Sequence, residues 1–185
     1  YSKYNVFFEL FFNLFYYQYT KNKKDFSNIC YLIGILYDNG LGTEKDYIKA
    51  IKYYELSAQQ NNSYAQYCLG NLYEKGLGVK QDYAKSRYYY ELSAQQNNSY
   101  GLNNLGLLYH LGLGIEKDYL KALEYLKSSY HQKNLYATLN LGIIYKDCNK
   151  NYKKARKYYE LLAQKNIPVA LNTLGHFYCL GLGVE

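Results

Sequence analysis

The chain has 185 residues, of which 49% are hydrophobic, and its formal net charge is +7. This length allows one ordinary domain or one short repeat array. No apolar run reaches the roughly 18 residues of a membrane span, so we expect no membrane partner. The chain begins without Met and stops inside a repeated motif, so we also expect it to be a fragment.

The first 28 residues predict an N-terminal helix. Residues 6–17, VFFELFFNLFYY, are the most apolar stretch, and their large side chains surround a helix almost completely. Such a helix must be covered on more than one side. We therefore expect residues 1–28 to be either a helical cap on the rest of the chain or a degenerate repeat.

The remainder of the chain is periodic. The segment YELSAQQNNSY occupies residues 54–64 and occurs again at residues 90–100. A Leu-Gly or Ile-Gly pair also recurs, with steps of 36, 36, 36 and 33 residues between its glycines. These glycines are Gly34, Gly70, Gly106, Gly142 and Gly175. A fixed period of this length is typical of a stacked repeat array.

Each period predicts a helical hairpin. In residues 65–100, Ala65, Leu69 and Leu72 have the spacing of one apolar helical stripe. Gly76 should end that helix because glycine adopts positive φ angles easily. An acid or amide then stands where the second helix should begin, and its side chain can accept hydrogen bonds from the free backbone amides. The predicted N-cap residues are Asp46, Asp82, Asp118 and Asn151.

The predicted fold is all-α, an α-solenoid of stacked antiparallel helical hairpins with 36-residue repeats. One hairpin cannot bury its apolar stripe alone, whereas stacked neighbours can. The fourth repeat lacks three residues and its GLG turn, so its connection must be tighter. The predicted repeats are residues 29–64, 65–100, 101–136, 137–169 (shortened) and 170–185 (partial).

The string LGxLYxxGLGVxxDYxKAxxYYxxSA resembles the Sel-1-like repeat, a relative of the tetratricopeptide repeat. The resemblance covers residues 29–185 and differs from the tetratricopeptide pattern, which has about 34 residues and no such turn. It is carried by Leu69-Gly70, Leu72-Tyr73, Gly76-Leu77-Gly78-Val79, Asp82, Lys49-Ala50 and Tyr53-Tyr54. It implies a non-enzymatic adaptor or scaffold that binds a protein or peptide.

The resemblance also implies that one face of each first helix lines a concave groove. At about 100° per residue, positions 67, 71 and 74 point away from the core positions of their helix. These positions vary between repeats, and their amides, aliphatics and aromatics suit an extended peptide. The alternative is that they are simply solvated. The candidates are Tyr31, Ile35, Tyr67, Asn71, Glu74, Asn103, Leu107, His110, Leu139, Ile143, Lys146, Asn172 and His176. Asp38 and Cys179 occupy equivalent positions in their repeats.

Positive charge is concentrated in the fourth repeat, where residues 137–169 hold seven Lys and Arg against two acids. The predicted basic patch is Lys150, Lys153, Lys154, Arg156 and Lys157. An alternative function is therefore the binding of an acidic ligand or nucleic acid by this repeat, although the absence of a base-reading motif disfavours nucleic acid. The patch could equally be a solvated surface.

No motif predicts catalysis or a cofactor. Some bacterial relatives that carry a disulfide within each repeat have been linked to β-lactam binding or hydrolysis, but this chain lacks that cysteine spacing. His176, Cys179 and Cys148 give three candidate metal ligands without a fourth, so we predict no metal site.

The cysteines occupy different places in their repeats, which indicates free thiols and favours a reducing compartment such as the cytoplasm. They are Cys30, Cys68, Cys148 and Cys179. The last repeat lacks a second helix, so we expect an open apolar face at the C-terminal end and, as a result, either instability or self-association.

Overall fold

The structure is a computed structural model that describes residues 23–148 and 150–183. Within these ranges the chain forms helices and no strand. The helices are α1 (Lys23–Asn39), α2 (Tyr47–Ala58), α3 (Ser63–Lys75), α4 (Tyr83–Gln95), α5 (Ser99–Leu111), α6 (Tyr119–His131), α7 (Leu135–Asp147), α8 (Tyr152–Ala163) and α9 (Pro168–Cys179). The expected helix within residues 1–22 lies outside the described residues.

The chain divides into two compact units, residues 1–96 and residues 97–185. In the first unit α1 packs on α2, α2 on α3, and α3 on α4. In the second unit α5 packs on α6, and each later helix packs on the one before it through α9. The predicted all-α fold of stacked helical hairpins is confirmed.

The second helix of each hairpin begins where the sequence predicted. Asp46, Asp82 and Asp118 each accept a hydrogen bond from the backbone amide three residues later, and the distances are 2.9–3.0 Å. Asn151 does the same for the amide of Lys154 at 3.0 Å. Satisfying one orphan amide in this way contributes about 1 kcal/mol per helix.

The fourth hairpin closes with the same backbone hydrogen bond as the longer ones. In full-length repeats the amide of the capping Asp donates to the carbonyl of the Tyr near the end of the first helix, as Asp82 does to Tyr73 at 2.9 Å. In the fourth hairpin Asn151 donates to Tyr145 at 2.8 Å without any GLG turn. The shorter connection therefore keeps the two helices of the hairpin in register.

The first helices begin at asparagine caps that the sequence reasoning missed. Asn62, Asn98 and Asn134 accept from the amides two and three residues later, so these helices start two residues before the predicted repeat boundaries. The equivalent residue of the first repeat is Phe26, which cannot cap. Accordingly α1 continues back to Lys23, and residues 23–28, which the period placed before the first repeat, belong to its first helix.

Glycine and a large side chain meet where the two helices of a hairpin cross. Gly70 lies against the ring of Tyr90, and Gly34 lies against the ring of Tyr54. Both tyrosines have no exposed surface. A methyl group at either position would overlap the ring, so this close approach requires glycine at Gly34 and Gly70.

Serine hydroxyls add a second link within the hairpins. The Oγ atom of a buried serine on the second helix donates to a carbonyl near the start of the first helix, at 2.6–2.7 Å. The pairs are Ser57 with Ser27, Ser93 with Ser63, and Ser129 with Ser99. Each of these hydrogen bonds joins the two helices of its hairpin.

A lysine and two tyrosines stack on one another in each described hairpin. The tyrosine rings are 5.6–5.8 Å apart and within 16° of parallel. A lysine ammonium lies 5.1–5.3 Å from the first ring. The stacks are Lys49–Tyr37–Tyr53, Lys85–Tyr73–Tyr89, Lys121–Tyr109–Tyr125 and Lys154–Tyr145–Tyr158. Each cation–π contact contributes about 0.5–1 kcal/mol at a partly exposed site.

Candidate partner-binding surfaces

In the first unit, the candidate face of α1 and α3 carries half-buried aromatic side chains. The ring centroid of Tyr31 lies 6.1 Å from that of Tyr54 and 5.9 Å from that of Tyr64. Tyr67 lies 6.2 Å from Tyr90 in the same arrangement. Because these rings rest on buried tyrosines of the second helices, they are held in position rather than projecting freely into solvent.

The polar candidates of the first unit hold the hydroxyls of the same buried tyrosines. The Tyr90 hydroxyl lies 2.6 Å from Glu74 Oε2 and 2.7 Å from Asn71 Oδ1. The Tyr54 hydroxyl donates to Asp38 Oδ2 at 3.1 Å. Burial raises the pKa of Tyr54 well above its usual range, and the neighbouring carboxylate adds to this effect. The Tyr54 phenol therefore stays protonated and acts as a donor.

In the second unit, the corresponding face of α5 and α7 is joined by amides. Asn140 Nδ2 donates to Asn103 Oδ1 at 2.9 Å, and Asn103 Nδ2 donates to Asn104 Oδ1 at 2.8 Å. Asn103 is only 5% exposed. The structure therefore places this predicted contact residue inside a hydrogen-bonded network, with little surface left for a partner.

Three aliphatic candidates of the second unit, Leu107, Leu139 and Ile143, are half-buried. Leu139 also packs against the core cluster of α6 to α9. Beside them is His110, whose pKa is lowered by burial and by Lys117 and is partly restored by Asp147.

The last candidates line a cleft at the end of α7 and α9. Lys146, Asn172 and His176 surround a volume of about 510 Å³, together with Lys150 from the connection before α8. The structure therefore joins one residue of the predicted basic patch to the candidate face.

Ile35, on α1 in the other unit, is half-buried.

The rest of the predicted basic patch is dispersed. Lys154 lies over the ring of Tyr145, as its equivalents do in every described hairpin. Arg156 Nε lies 3.2 Å from Glu160 Oε1, an ion pair without the alignment of a hydrogen bond. Lys153 and Lys157 are both exposed. The run of cations is thus divided among separate environments.

A further cleft was not anticipated from the sequence. It lies between α6 and α8, has a volume of about 630 Å³, and is lined by Lys127, Tyr130 and Lys157 among others. The available signal was a departure from the repeat. Lys127 stands where the other repeats have Glu55, Glu91 and Glu160, and Tyr130 stands where they have alanine.

The cysteines and the apolar helices carry no further site in the part of the chain that the structure describes. Cys30 is buried and Cys68 is half-buried, while Cys148 and Cys179 are exposed, and all are free thiols. Burial raises the pKa of Cys30 to about 11. Over residues 23–148 and 150–183 no cluster of metal-ligating side chains occurs, and no described helix has the length and apolarity needed to cross a membrane.

Comparison with known proteins identifies the family. The Sel1 repeat family model matches at residues 29–62, 63–98, 99–134 and 136–167. The chain belongs to the Sel1-repeat family. The second and third matched segments begin at Ser63 and Ser99, which are also the first residues of α3 and α5. No curated protein sequence matches the chain.

Solved Sel1-repeat structures share the fold. A protective antigen of uropathogenic Escherichia coli strains that displays an SLR fold is 30% identical with a TM-score of 0.78, and the match covers 86% of this chain and 35% of that one. A Sel1 repeat protein from Oxalobacter formigenes is 31% identical with a TM-score of 0.78, covering 86% and 64% respectively. This chain therefore spans less than two thirds of the length of either protein.

A more distant structure supports the fold alone. An immunity protein from Pseudomonas aeruginosa is 24% identical with a TM-score of 0.54, over 72% of this chain and 50% of that one.

Sel1-repeat proteins are generally interaction scaffolds that bind protein partners and are typically non-enzymatic. The chain is accordingly a Sel1-repeat α-solenoid.

Proposed function

We propose that this chain is a non-enzymatic adaptor module in which the variable faces of the first helices bind an extended peptide or a protein domain. The side chains on these faces are held in position before any partner arrives, and this observation supports the proposal most directly. In the first unit the Tyr90 hydroxyl fixes Glu74 and Asn71 at 2.6 and 2.7 Å. In the second unit Leu139 of the same face packs against the core cluster of α6 to α9.

Such preorganisation favours binding because less side-chain entropy is lost on association, where each immobilised flexible side chain costs about 0.5–1.5 kcal/mol. The faces also combine apolar surface with hydrogen-bonding groups. A peptide backbone needs hydrogen-bonding groups, and peptide side chains need apolar surface.

The test uses two residues of the second unit. Leu107 and Ile143 are half-buried and on the candidate face, whereas Leu139 packs against the core and is left unchanged. Peptides selected from a random displayed library on the wild-type chain are expected to bind the Leu107→Glu, Ile143→Glu variant at least about tenfold more weakly, because two charges replace apolar contacts.

The matched control is Leu120→Glu with Leu171→Glu, at residues that are 76% and 49% exposed in the same unit. It adds the same charge outside the candidate face and should leave binding unchanged. Selected peptides that bind all three proteins equally would contradict the proposal. A loss of more than about 10 °C in Tm in the first variant would instead show that those residues belong to the core.

A further inference from the structure

A groove runs between the second helices of the second unit. The cleft of about 630 Å³ between α6 and α8 adjoins another of about 310 Å³, because Tyr130, Leu161 and Gln164 line both. We refer to the two together as the α6–α8 groove. From Lys154 to Leu161, helix α8 rises about 10 Å, which is about the reach of three extended residues.

Positive charge flanks an apolar middle in this groove. Tyr130 is half-buried and Leu161 is 39% exposed, and they form the shared section. Exposed lysines stand on either side of it and form no ion pair with any described residue. These are Lys127 and Lys157 in the larger cleft, and Lys133 and Lys165 in the smaller one. The single carboxylate among the lining residues is Glu160, which lies 3.2 Å from Arg156 Nε.

The equivalent surface of the first unit has a different charge, so the two units can be compared within one chain. When the helices are aligned on their N-caps, Glu55 of α2 corresponds to Lys127 and Ala58 corresponds to Tyr130. Glu55 is close enough to the stacked ring of Tyr89 to help raise its pKa, after burial, to about 12. The same scaffold therefore carries a carboxylate in one unit and an ammonium in the other.

The lower part of the groove also differs between the units. In the first unit, Gln96 Nε2 donates to Gln66 Oε1 at 2.7 Å, and both side chains contact Asn61 Oδ1 at 3.2 Å. Their equivalents in the second unit are Lys165 and Thr138, which line the smaller cleft. The substitution of this amide bridge by a lysine and a threonine leaves the space open and adds positive charge.

We propose that the α6–α8 groove is a second binding site, which takes an acidic peptide segment carrying one apolar side chain. The apolar side chain contacts Tyr130 and Leu161, and acidic residues before and after it face the four flanking lysines. The site is on second helices, so it is separate from the first-helix faces to which we assign the adaptor function, and either can fail without the other.

The aromatic rings favour a peptide over single-stranded nucleic acid. Base stacking needs open ring faces. Here the rings of Tyr130 and Tyr158 form a T-shaped pair with centroids 5.3 Å apart, and Tyr158 stacks on Tyr145 at 5.7 Å. Tyr145 therefore covers one face of Tyr158.

The test is fluorescence anisotropy with a labelled peptide of six glutamates around a central leucine. Two further probes are the same peptide with serine in place of leucine, and an oligothymidylate of equal charge. We expect the leucine peptide to bind most tightly. The Lys127→Glu, Lys157→Glu variant should weaken its binding at least about tenfold, since attraction becomes repulsion at two positions. Glutamate is the residue that other repeats carry at the first position, so the fold should tolerate it.

The matched control is Lys52→Glu with Lys75→Glu, which removes the same charge from exposed positions of the first unit. Binding within about threefold of wild type in this control supports the proposal. Equal loss in both variants would show diffuse attraction to a basic protein and overturn it. Equal binding of the leucine and serine peptides, tighter binding of the oligothymidylate, or no binding of the leucine peptide would also overturn it. Thermal melts of each variant confirm that it is folded.

Discussion

Two serines on α4 are expected to respond to the same substitution in opposite directions. Ser86 and Ser93 are both completely buried. Ser93 Oγ donates to the carbonyl of Ser63 at 2.7 Å, whereas Ser86 Oγ has no hydrogen-bond partner among the described residues. The hydroxyl of Ser86 therefore loses its hydration on folding without compensation.

The magnitudes can be worked out from these environments. A buried hydroxyl without a partner costs about 1–3 kcal/mol, and alanine is better than serine in a helix by about 0.5 kcal/mol. Alanine also fits at this position, because Ala50, Ala122 and Ala155 occupy it in other repeats with no exposure. We expect Ser86→Ala to raise the free energy of unfolding by about 1–2 kcal/mol, and Ser93→Ala to lower it by about 1 kcal/mol.

Urea denaturation followed by far-UV circular dichroism measures both changes, and thermal melts should shift by about 2–4 °C per kcal/mol. If Ser86→Ala lowers stability, its hydroxyl bonds the backbone carbonyl three or four residues earlier. If both variants are stabilised equally, helix propensity decides the result and the hydrogen bond of Ser93 contributes nothing. Either outcome would refute the reasoning.

Two other predictions concern packing and pH. Gly70→Ala should destabilise by about 1–3 kcal/mol because its methyl group would overlap the buried ring of Tyr90. A Cβ added at Gly175 would meet no described atom within 4 Å outside its own helix backbone, so Gly175→Ala should stabilise by up to about 1 kcal/mol in the same urea assay. Burial and Lys117 lower the pKa of His110, so the unfolded state takes up this proton first and stability should fall as pH drops below about 6.5. Thermal melts between about pH 7.5 and 5.5 should show this slope in the wild type and a smaller slope in His110→Gln; equal slopes would contradict it.

The hairpins were predictable because their determinants are local. A helix N-cap needs one side chain and the next three amides, so Asp46, Asp82 and Asp118 could be assigned from sequence alone. The asparagine caps are equally local, but they were missed because Asn62, Asn98 and Asn134 precede the predicted repeat boundaries. Asn97 adopts a positive φ of 58°, and Asn98 then caps α5. Asparagine suits both roles because it tolerates the left-handed region and its side chain bonds nearby backbone amides.

The binding faces were less predictable because side chains on them pair across helices. Spacing alone placed Asn71 and Glu74 on a solvent-facing stripe, but it could not show that the hydroxyl of Tyr90 meets both. The burial of Asn103 likewise depends on Asn140 of the next first helix. Which side chains remain accessible to a partner is therefore a property of the packed hairpins and not of one helix.

Periodicity separates residues that maintain the fold from residues that can select a partner. Lys154 belonged to the predicted basic patch, yet it has an equivalent over a tyrosine ring in each of the other described hairpins. Its charge is part of the scaffold. Lys127 and Lys157 have no such pattern, since their equivalents include Glu55 and Tyr88. In a repeat protein, a residue that departs from its equivalents while its surroundings do not is the better candidate for recognition, and this criterion selects the α6–α8 groove over the run of cations.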